Sequence, residues 1–465
     1  MNYQEAVRYL LTLGRELAAP TQAAAAKFDL ENIRVLAERL GQPQRAYPTA
    51  HIAGTNGKGS TAAFLESILR RAGFRTGLNT SPHLERINER IRVNGEEISD
   101  AAFAETLTRI QSVIEELLAE GKLRAHPTYF ECVTAMAFEH FARKRVDFGV
   151  FEVGLGGRLD ATNIVQPAVT IITRVDFDHE NYLGHSLREI AGEKAGIVKP
   201  GVAMVLAPQR EEARGVILAR AAATGAPVIA TETAYGLEPG KEETQPAQAS
   251  ESTESERGQG EREGVRIRVR DIETDWSCEL QPSLRGKFQV QNAVNAVAAA
   301  RVLAARGFRI PTEAIEAGIA EAVWPGRLER LQQRPDVYLD GAHNPSAARE
   351  LAEFWEEHFA GRRIWLVYGA LRDKAVDEIA GVLFPRAAEV ILTEPRTSRA
   401  ISASQLEEMA AHYASRVRVI ADAEQSVEQV LAKAAPEDAV FVTGSLYLVG
   451  QIRHWWKSRV HASVR

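Results

Sequence analysis

Residues 50–61 read Ala-His-Ile-Ala-Gly-Thr-Asn-Gly-Lys-Gly-Ser-Thr. A short apolar run closes in a glycine-rich turn, and helix-forming sequence follows. Glycines let backbone N–H groups close on phosphate oxygens, and the start of the next helix adds partial positive charge. In such a turn Lys58 reaches the terminal phosphates, and Ser60 or Thr61 offers a hydroxyl to Mg²⁺. The strict Walker pattern has glycine five positions before Gly57 and Ser or Thr after the lysine, where this chain has Ile52 and Gly59. A plain glycine-rich turn with an exposed lysine is the competing reading. The strand before the turn favours the phosphate loop.

Working outward, apolar runs at 146–153, 169–175, 337–340, 364–368, 389–392 and 439–443 read as buried strands. Helical patterns at 101–120, 130–144, 293–306 and 347–358 lie between them. This alternation predicts an α/β fold with mainly parallel sheets. In such sheets ligands sit beyond the carboxyl ends of the strands. Trp324-Pro325-Gly326-Arg327 breaks the pattern with two turn formers, which places a domain boundary near 324. The expected domains are therefore 1–323 and 324–465.

Residues 238–264 hold no Val, Ile, Leu, Phe, Trp or Tyr, and carry eight acidic and three basic side chains. Such a stretch cannot bury enough apolar surface to offset its ordering entropy, so it is expected to be a disordered surface insertion. Strand-like sequence resumes at Val265.

The chain has 465 residues, 45% of them hydrophobic and 25% charged, with a net charge of −6. A core of ordinary size is expected, and there is no electrostatic reason to expect nucleic acid or an anionic membrane. Two cysteines, Cys132 and Cys278, make no disulfide framework, so the expected compartment is the cytoplasm. No apolar run approaches the roughly 20 residues of a membrane span. The N-terminus carries Glu5 and Arg8, lacks a signal-peptide layout and reads as a short amphipathic helix.

Further polar residues stand where strands end. Glu152 closes an apolar run ahead of Gly154-Leu155-Gly156-Gly157 and suits Mg²⁺ there, although a surface glutamate would read the same. His179 follows Asp176-Phe177-Asp178 and is either a metal ligand or a solvated loop histidine. Lys194, by spacing alone, is an ordinary helix lysine. Asp340-Gly341-Ala342-His343 and Thr443-Gly444-Ser445 close strands of the second domain, and with Arg327 they could face the first. There is no zinc-like Cys/His spacing and no nucleophile elbow.

Taken in order, these segments resemble the Mur ligase superfamily of ATP-dependent acid–amino-acid ligases, and more closely folylpolyglutamate synthase/dihydrofolate synthase. The motifs are 51–60, 80–84, 151–163, 193–197, 324–327, 339–345 and 443–446, spread over nearly the whole chain. The resemblance implies a large P-loop ATP-binding domain and a smaller Rossmann-like glutamate-ligase domain. It implies that Asn56, Gly57, Lys58, Gly59 and Ser60 hold ATP phosphates and that Asn295, Arg327 and Asp340 contact ATP. Ser60, Ser81, Glu152 and His179 would bind Mg²⁺. Lys194 resembles a lysine carbamylated by CO₂, a change that turns a cation into an anionic oxygen ligand. His343 and Ser445 would lie near the incoming glutamate, with Lys58, Lys194, His343 and Arg327 serving catalysis. The pterin would lie against Phe28, Asp29, Leu30, Pro82, Thr128, Tyr129, Phe130, Glu131, Leu155, Gly156, Gly157 and Asp160. The implied activity joins L-glutamate to dihydropteroate or to the glutamyl tail of a reduced folate through an acyl phosphate. A monomer acting on small molecules is implied. A cell-wall ligase acting on a UDP-sugar peptide is the alternative, but the phosphate loop starts near residue 54 and leaves little room for a preceding UDP-binding domain. An inactive ATP-binding module is a third reading, and it would predict loss of Lys58, Glu152 or His179.

Overall fold

The computed structural model describes residues 1–13, 29–240 and 265–463. An eight-stranded sheet runs from one edge as Glu96–Glu97, Ile91–Val93, Thr76–Asn79, Phe148–Glu152, Thr49–Ala53, Val169–Ile172, Met204–Leu206 and Val228–Ala230. The five pairings from Thr76–Asn79 onward are parallel, and the two at the opposite edge are antiparallel. Strands Thr49–Ala53 and Phe148–Glu152 are buried throughout, as strands covered on both faces require. Helices Lys58–Arg71 and Lys287–Ala305 bury a continuous apolar core that includes Ile52, Phe64, Ile68 and Val297. On the other face the helices Asp100–Ala119 and Tyr129–Lys144 pack around Phe103, Phe138 and Phe151. The amphipathic N-terminal helix, Tyr3–Thr12, is fixed by a capping box between Asn2 and Glu5 and buries Ala6 and Leu10.

Residues beyond this sheet form a small antiparallel sheet of Tyr235–Pro239, Ile267–Asp271 and Ser277–Leu280. Here the insertion expectation needs a correction at its edge. Glu238 and Pro239 pair opposite Arg268 and Ile267, because Leu237 continues the ladder opposite the buried Val269. The rest of that stretch, 241–264, lies outside the described residues.

The chain leaves helix Thr312–Glu321, passes through Trp324 to Arg327 and enters a six-stranded sheet. Its order is Glu329–Gln332, Asp336–Leu339, Ala439–Thr443, Ile364–Tyr368, Glu389–Glu394 and Val417–Asp422, parallel except for the first pair. Helix 293–306 of the sequence reading starts earlier, at Lys287, directly after Gly286. Among the described residues no helix is long and apolar enough to cross a membrane.

Candidate active site

Both sheets turn carboxyl strand ends toward one cavity of about 570 Å³. From the large sheet come Gly54, Ser81, Glu152, Arg174 and Ala207; from the second come Asp340 to His343 and Leu446. This is the position that open α/β sheets reserve for ligands.

The phosphate loop is shaped by close packing at its glycines. Gly54 has φ +149°, and a Cβ there would fall 1.9 Å from Thr173 Oγ1. Gly57, at φ +86°, caps helix Lys58–Arg71, and a Cβ would fall 2.2 Å from Asn292 Oδ1. Gly59 faces the Trp324 indole, 2.8 Å from where its Cβ would be. That contact accounts for glycine in the place where Walker loops carry Ser or Thr. Lys58 is half-buried and its Nζ donates to Thr55 O at 3.0 Å. Burial lowers its ammonium, and Glu152 is the main opposing charge.

Around this loop stand the other candidates. Glu152 accepts from the Ser81 backbone N–H at 3.1 Å; burial raises its carboxyl while Lys58 opposes. Burial lowers His179 to about 4, leaving a neutral imidazole of the kind that ligates metals. Lys194 is buried, donates to Gly54 O at 2.9 Å, and is lowered to about 7 by burial and then by Lys58. A neutral amine, the form that reacts with CO₂, is therefore accessible near neutral pH.

From the second sheet, the half-buried Arg327 packs against Gly341, where a Cβ would fall 2.1 Å from its Nη1. Asp340 accepts from Leu328 N and Ala342 N, both at 2.9 Å, so its carboxylate shapes the strand-end turn that it shares with the cavity wall. His343 Nδ1 lies 2.7 Å from Gly341 O, so Nδ1 carries the proton and Nε2 is the acceptor. Burial lowers this ring to about 3.

The two sheets are tied together across the cavity. Asn56 of the phosphate loop and Asn344 exchange amide hydrogen bonds of 2.9 and 3.3 Å. Asn344 also caps helix Pro345–His358 through Ala347 N. Asp178 accepts from Lys374 Nζ at 2.7 Å. Burial pushes the Asp178 carboxyl up, but Lys374, His179 and His343 together outweigh it and hold the group well below the usual carboxylate range.

Asn56, Gly57, Lys58, Gly59, Ser60, Ser81, Glu152, His179, Lys194, Asn295, Arg327, Asp340 and His343 all line the cavity, as do Pro82, Leu155 and Gly156 of the expected pterin set. The remaining pterin residues that the structure describes are not among those lining the cavity. Thr128 and Glu131 form the capping box of helix Tyr129–Lys144. Asp160 accepts from Gly154 N and Leu155 N and so fixes the turn that carries Leu155 and Gly156. Phe130 backs Gly154, Gly157 packs on the Glu193 and Lys194 carbonyls, and Tyr129 lies under Arg90 at 5.4 Å. Asp29 accepts from Glu31 N, and Leu30 is buried among the helices. Phe28 lies outside the described residues. Ser445 is buried and accepts from Tyr447 N at 3.2 Å, with Leu446 next to it on the wall.

Sequence reasoning gave no role to four wall or bridging residues. Asn292 lies one helical turn before Asn295 and contacts the phosphate loop; the spacing of three was the available signal. Lys374, Arg174 and Asn344 follow strand ends, where the carboxyl-end rule alone could have flagged them. Asn295 Oδ1 accepts from Gln291 and Thr231, and its Nδ2 has no partner among the described residues.

Residues 52–300 match the Mur ligase middle domain, and residues 326–446 match the Mur ligase glutamate ligase domain. Over 426 residues the chain is 38% identical to the dihydrofolate synthase/folylpolyglutamate synthase of Bacillus subtilis, spanning 91% of this chain and 94% of that one. It is 31% identical to the folylpolyglutamate synthase of Lacticaseibacillus casei, spanning 97% and 98%. Among solved structures, Escherichia coli FolC in complex with DHPP and ADP aligns with a TM-score of 0.83 at 29% identity, over 99% of this chain and 98% of that one. Mycobacterium tuberculosis folylpolyglutamate synthase complexed with ADP gives 0.84 at 30% identity, over 98% of each. With a phosphate loop, a facing arginine and a shared cavity between two such domains, this chain belongs to the folylpolyglutamate synthase/dihydrofolate synthase family of the Mur ligases.

Proposed function

We propose that this chain is an ATP-dependent ligase that joins L-glutamate to the carboxylate of dihydropteroate, to the glutamyl tail of a reduced folate, or to both. The observation that carries the reading is the meeting of Lys58, Glu152, Lys194, Arg327 and His343 in one cavity. The division into domains 1–323 and 324–465, each supplying part of that cavity, belongs to this reading, as does a cytoplasmic monomer acting on small molecules.

A carboxylate is a poor acyl donor. Transfer of the γ-phosphoryl group of ATP to a carboxylate oxygen gives an acyl phosphate and ADP. The glutamate amine then attacks the carbonyl carbon, the C–O bond to phosphate breaks, and phosphate leaves with the electron pair. Gly57, Lys58, Gly59, Ser60 and Asn56 hold the phosphates, and Arg327 approaches from the second domain, so positive charge meets the charge that develops in transfer. Asn295 and Asn292 offer amides to the nucleoside, and Asp340 holds the turn beside it. His343 is neutral with Nε2 as its acceptor, and Nε2 lies 3.7 Å from Asp178. Nε2 accepts a hydrogen bond from the attacking amine, and the proton that the amine loses leaves with the departing phosphate. Ser445, at the start of the adjoining helix, stands on the glutamate side. Pro82, Leu155 and Gly156 contact the pterin, with Phe130 and Asp160 fixing them from behind.

The residues fit Mg²⁺. Glu152, Ser81, Ser60 and His179 combine a buried carboxylate, hydroxyls and a neutral imidazole, and a carbamylated Lys194 would add an oxygen. Among the described residues no three His, Cys, Asp or Glu side chains converge. That suits an ion that takes few protein ligands and completes its shell with water and phosphate oxygens. Bound there, Mg²⁺ supplies charge neutralisation to the transferring phosphoryl group.

ADP release with Mg·ATP and L-glutamate tests the reading. Turnover with 7,8-dihydropteroate marks a dihydrofolate synthase, with a tetrahydrofolate a folylpolyglutamate synthase, and with both a bifunctional enzyme. Turnover only with a UDP-sugar peptide, or none with any acceptor, overturns it.

A further inference from the structure

Helix Pro345–His358 presents Ala347, Glu350 and Leu351 to the cavity, the i, i+3, i+4 spacing of one helix face. Two apolar side chains therefore flank a single carboxylate. The same cavity is lined by Ala207, Pro208 and Gln209 beyond strand Met204–Leu206, and by Gln289, Asn292 and Asn295 of helix Lys287–Ala305. The cavity thus combines this apolar surface and these carboxamides with the cations Lys58 and Arg327, and Asn292 stands against Gly57 of the phosphate loop. The amide nitrogens Gln289 Nε2 and Asn295 Nδ2 are buried without partners among the described residues. A nucleotide whose phosphates lie on the Gly57–Ser60 turn shares this cavity with Glu350.

The Glu350 side chain is 17% exposed, and its one ion-pair partner among the described residues is Arg174, at 3.6 Å. Arg174 is itself shared with Asp176, also at 3.6 Å. Neither distance is a hydrogen bond. Glu350 is therefore a mostly buried carboxylate with acceptor capacity left over, held in place by one cation and open to the cavity. Burial raises its carboxyl to about 7, with Arg174 opposing and Asp340, Glu353 and Asp176 adding to the rise. Donors are what this group lacks, and a ribose offers two adjacent hydroxyls. Acidic side chains bind ribose hydroxyls in the same way in dinucleotide folds.

We propose that Glu350 accepts hydrogen bonds from the ribose hydroxyls of the nucleotide and makes this enzyme select ribonucleotides over deoxyribonucleotides. Arg174 is the positioning residue that holds the carboxylate toward the cavity. The inference rests on the ATP-dependent reading of the site but adds a specificity residue to it.

The test compares kcat/KM for ATP, 2′-deoxy-ATP and 3′-deoxy-ATP in the full chain with a pterin acceptor and L-glutamate. A hydrogen bond to a charged group is worth roughly 10- to 100-fold in binding. The native chain should prefer ATP over at least one deoxynucleotide by about that factor, expressed in KM rather than kcat. Glu350→Ala should lose the preference by raising the ATP KM while leaving the deoxynucleotide KM in place. Glu350→Gln, which keeps an acceptor oxygen, should retain part of it. Equal use of all three nucleotides by the native chain overturns the inference, and so does a Glu350→Ala variant with an unchanged ATP-to-deoxy-ATP ratio. Both results leave the ligase reading standing, since turnover itself is still observed. If Glu350→Ala does not fold, the native-chain comparison and Glu350→Gln decide the matter.

Discussion

Asp178 and Lys374 meet at 2.7 Å although 196 positions separate them in the chain. One follows a strand of the large sheet and the other follows a strand of the second sheet. The pair stands between His179 and His343, so it orders both domain faces of the catalytic cavity. Replacing Lys374 with Met leaves a buried carboxylate without its cation. We expect kcat/KM for glutamate to fall roughly 10- to 100-fold, the worth of a charge-assisted hydrogen bond. Stability should also fall, by about 3 kcal/mol or more, because an uncompensated charge stays buried. Steady-state kinetics and urea unfolding read the two effects, and native kinetics in Lys374→Met would remove the pair from the mechanism.

Lys194 donates to the phosphate-loop carbonyl of Gly54, and its lowered ammonium leaves a reactive amine. Lys194→Ala should abolish turnover, and high bicarbonate should not restore it. Undiminished activity in that variant would end the carbamate assignment.

Gly59 lies against Trp324, and Arg92 stacks over the same indole at 5.6 Å. Converting Gly59 to Ser restores the usual phosphate-loop residue but drives a Cβ into the ring. We expect a loss of about 1–3 kcal/mol in stability and a higher KM for ATP. Adding Trp324→Ala should relieve part of the loss, so the two changes should be non-additive in a double-mutant cycle.

Glu350 also carries a pH signature. Its folded carboxyl is raised to about 7 by burial, above the value of 4.5 that an exposed glutamate has. A raised carboxyl costs stability as pH climbs above 4.5, and the cost is complete above 7. Glu350→Gln removes this cost. Its stability relative to the native chain should therefore rise between pH 5 and 8, by up to about 3 kcal/mol. Urea unfolding at several pH values measures it, and a flat difference would place the titration elsewhere.

Residues 241–264 leave from strand Tyr235–Pro239 and return to strand Ile267–Asp271, which pair directly as antiparallel neighbours. Gly240 N already donates to Arg266 O at 3.0 Å, so a short turn can join them. Deleting 242–263 and inserting Asn-Gly should leave the turnover number nearly unchanged. A large drop would show that the segment contributes to the site.

The sequence by itself determined the local parts: which apolar runs become buried strands, where each strand ends, and which glycines shape the phosphate loop. These depend on neighbours a few positions away, so spacing and residue type carry them. Thr128 and Glu131 carry a local signal of the same kind: their three-residue spacing is that of a capping box, and in the fold they form one at the start of helix Tyr129–Lys144. Only the tertiary structure decided which strand ends share a cavity. The Asn56–Asn344 amides lie 288 positions apart, and Glu350 reaches Arg174 across two domains. Sheet order and domain docking fix those meetings through packing of distant surfaces, and no local pattern in the chain encodes them.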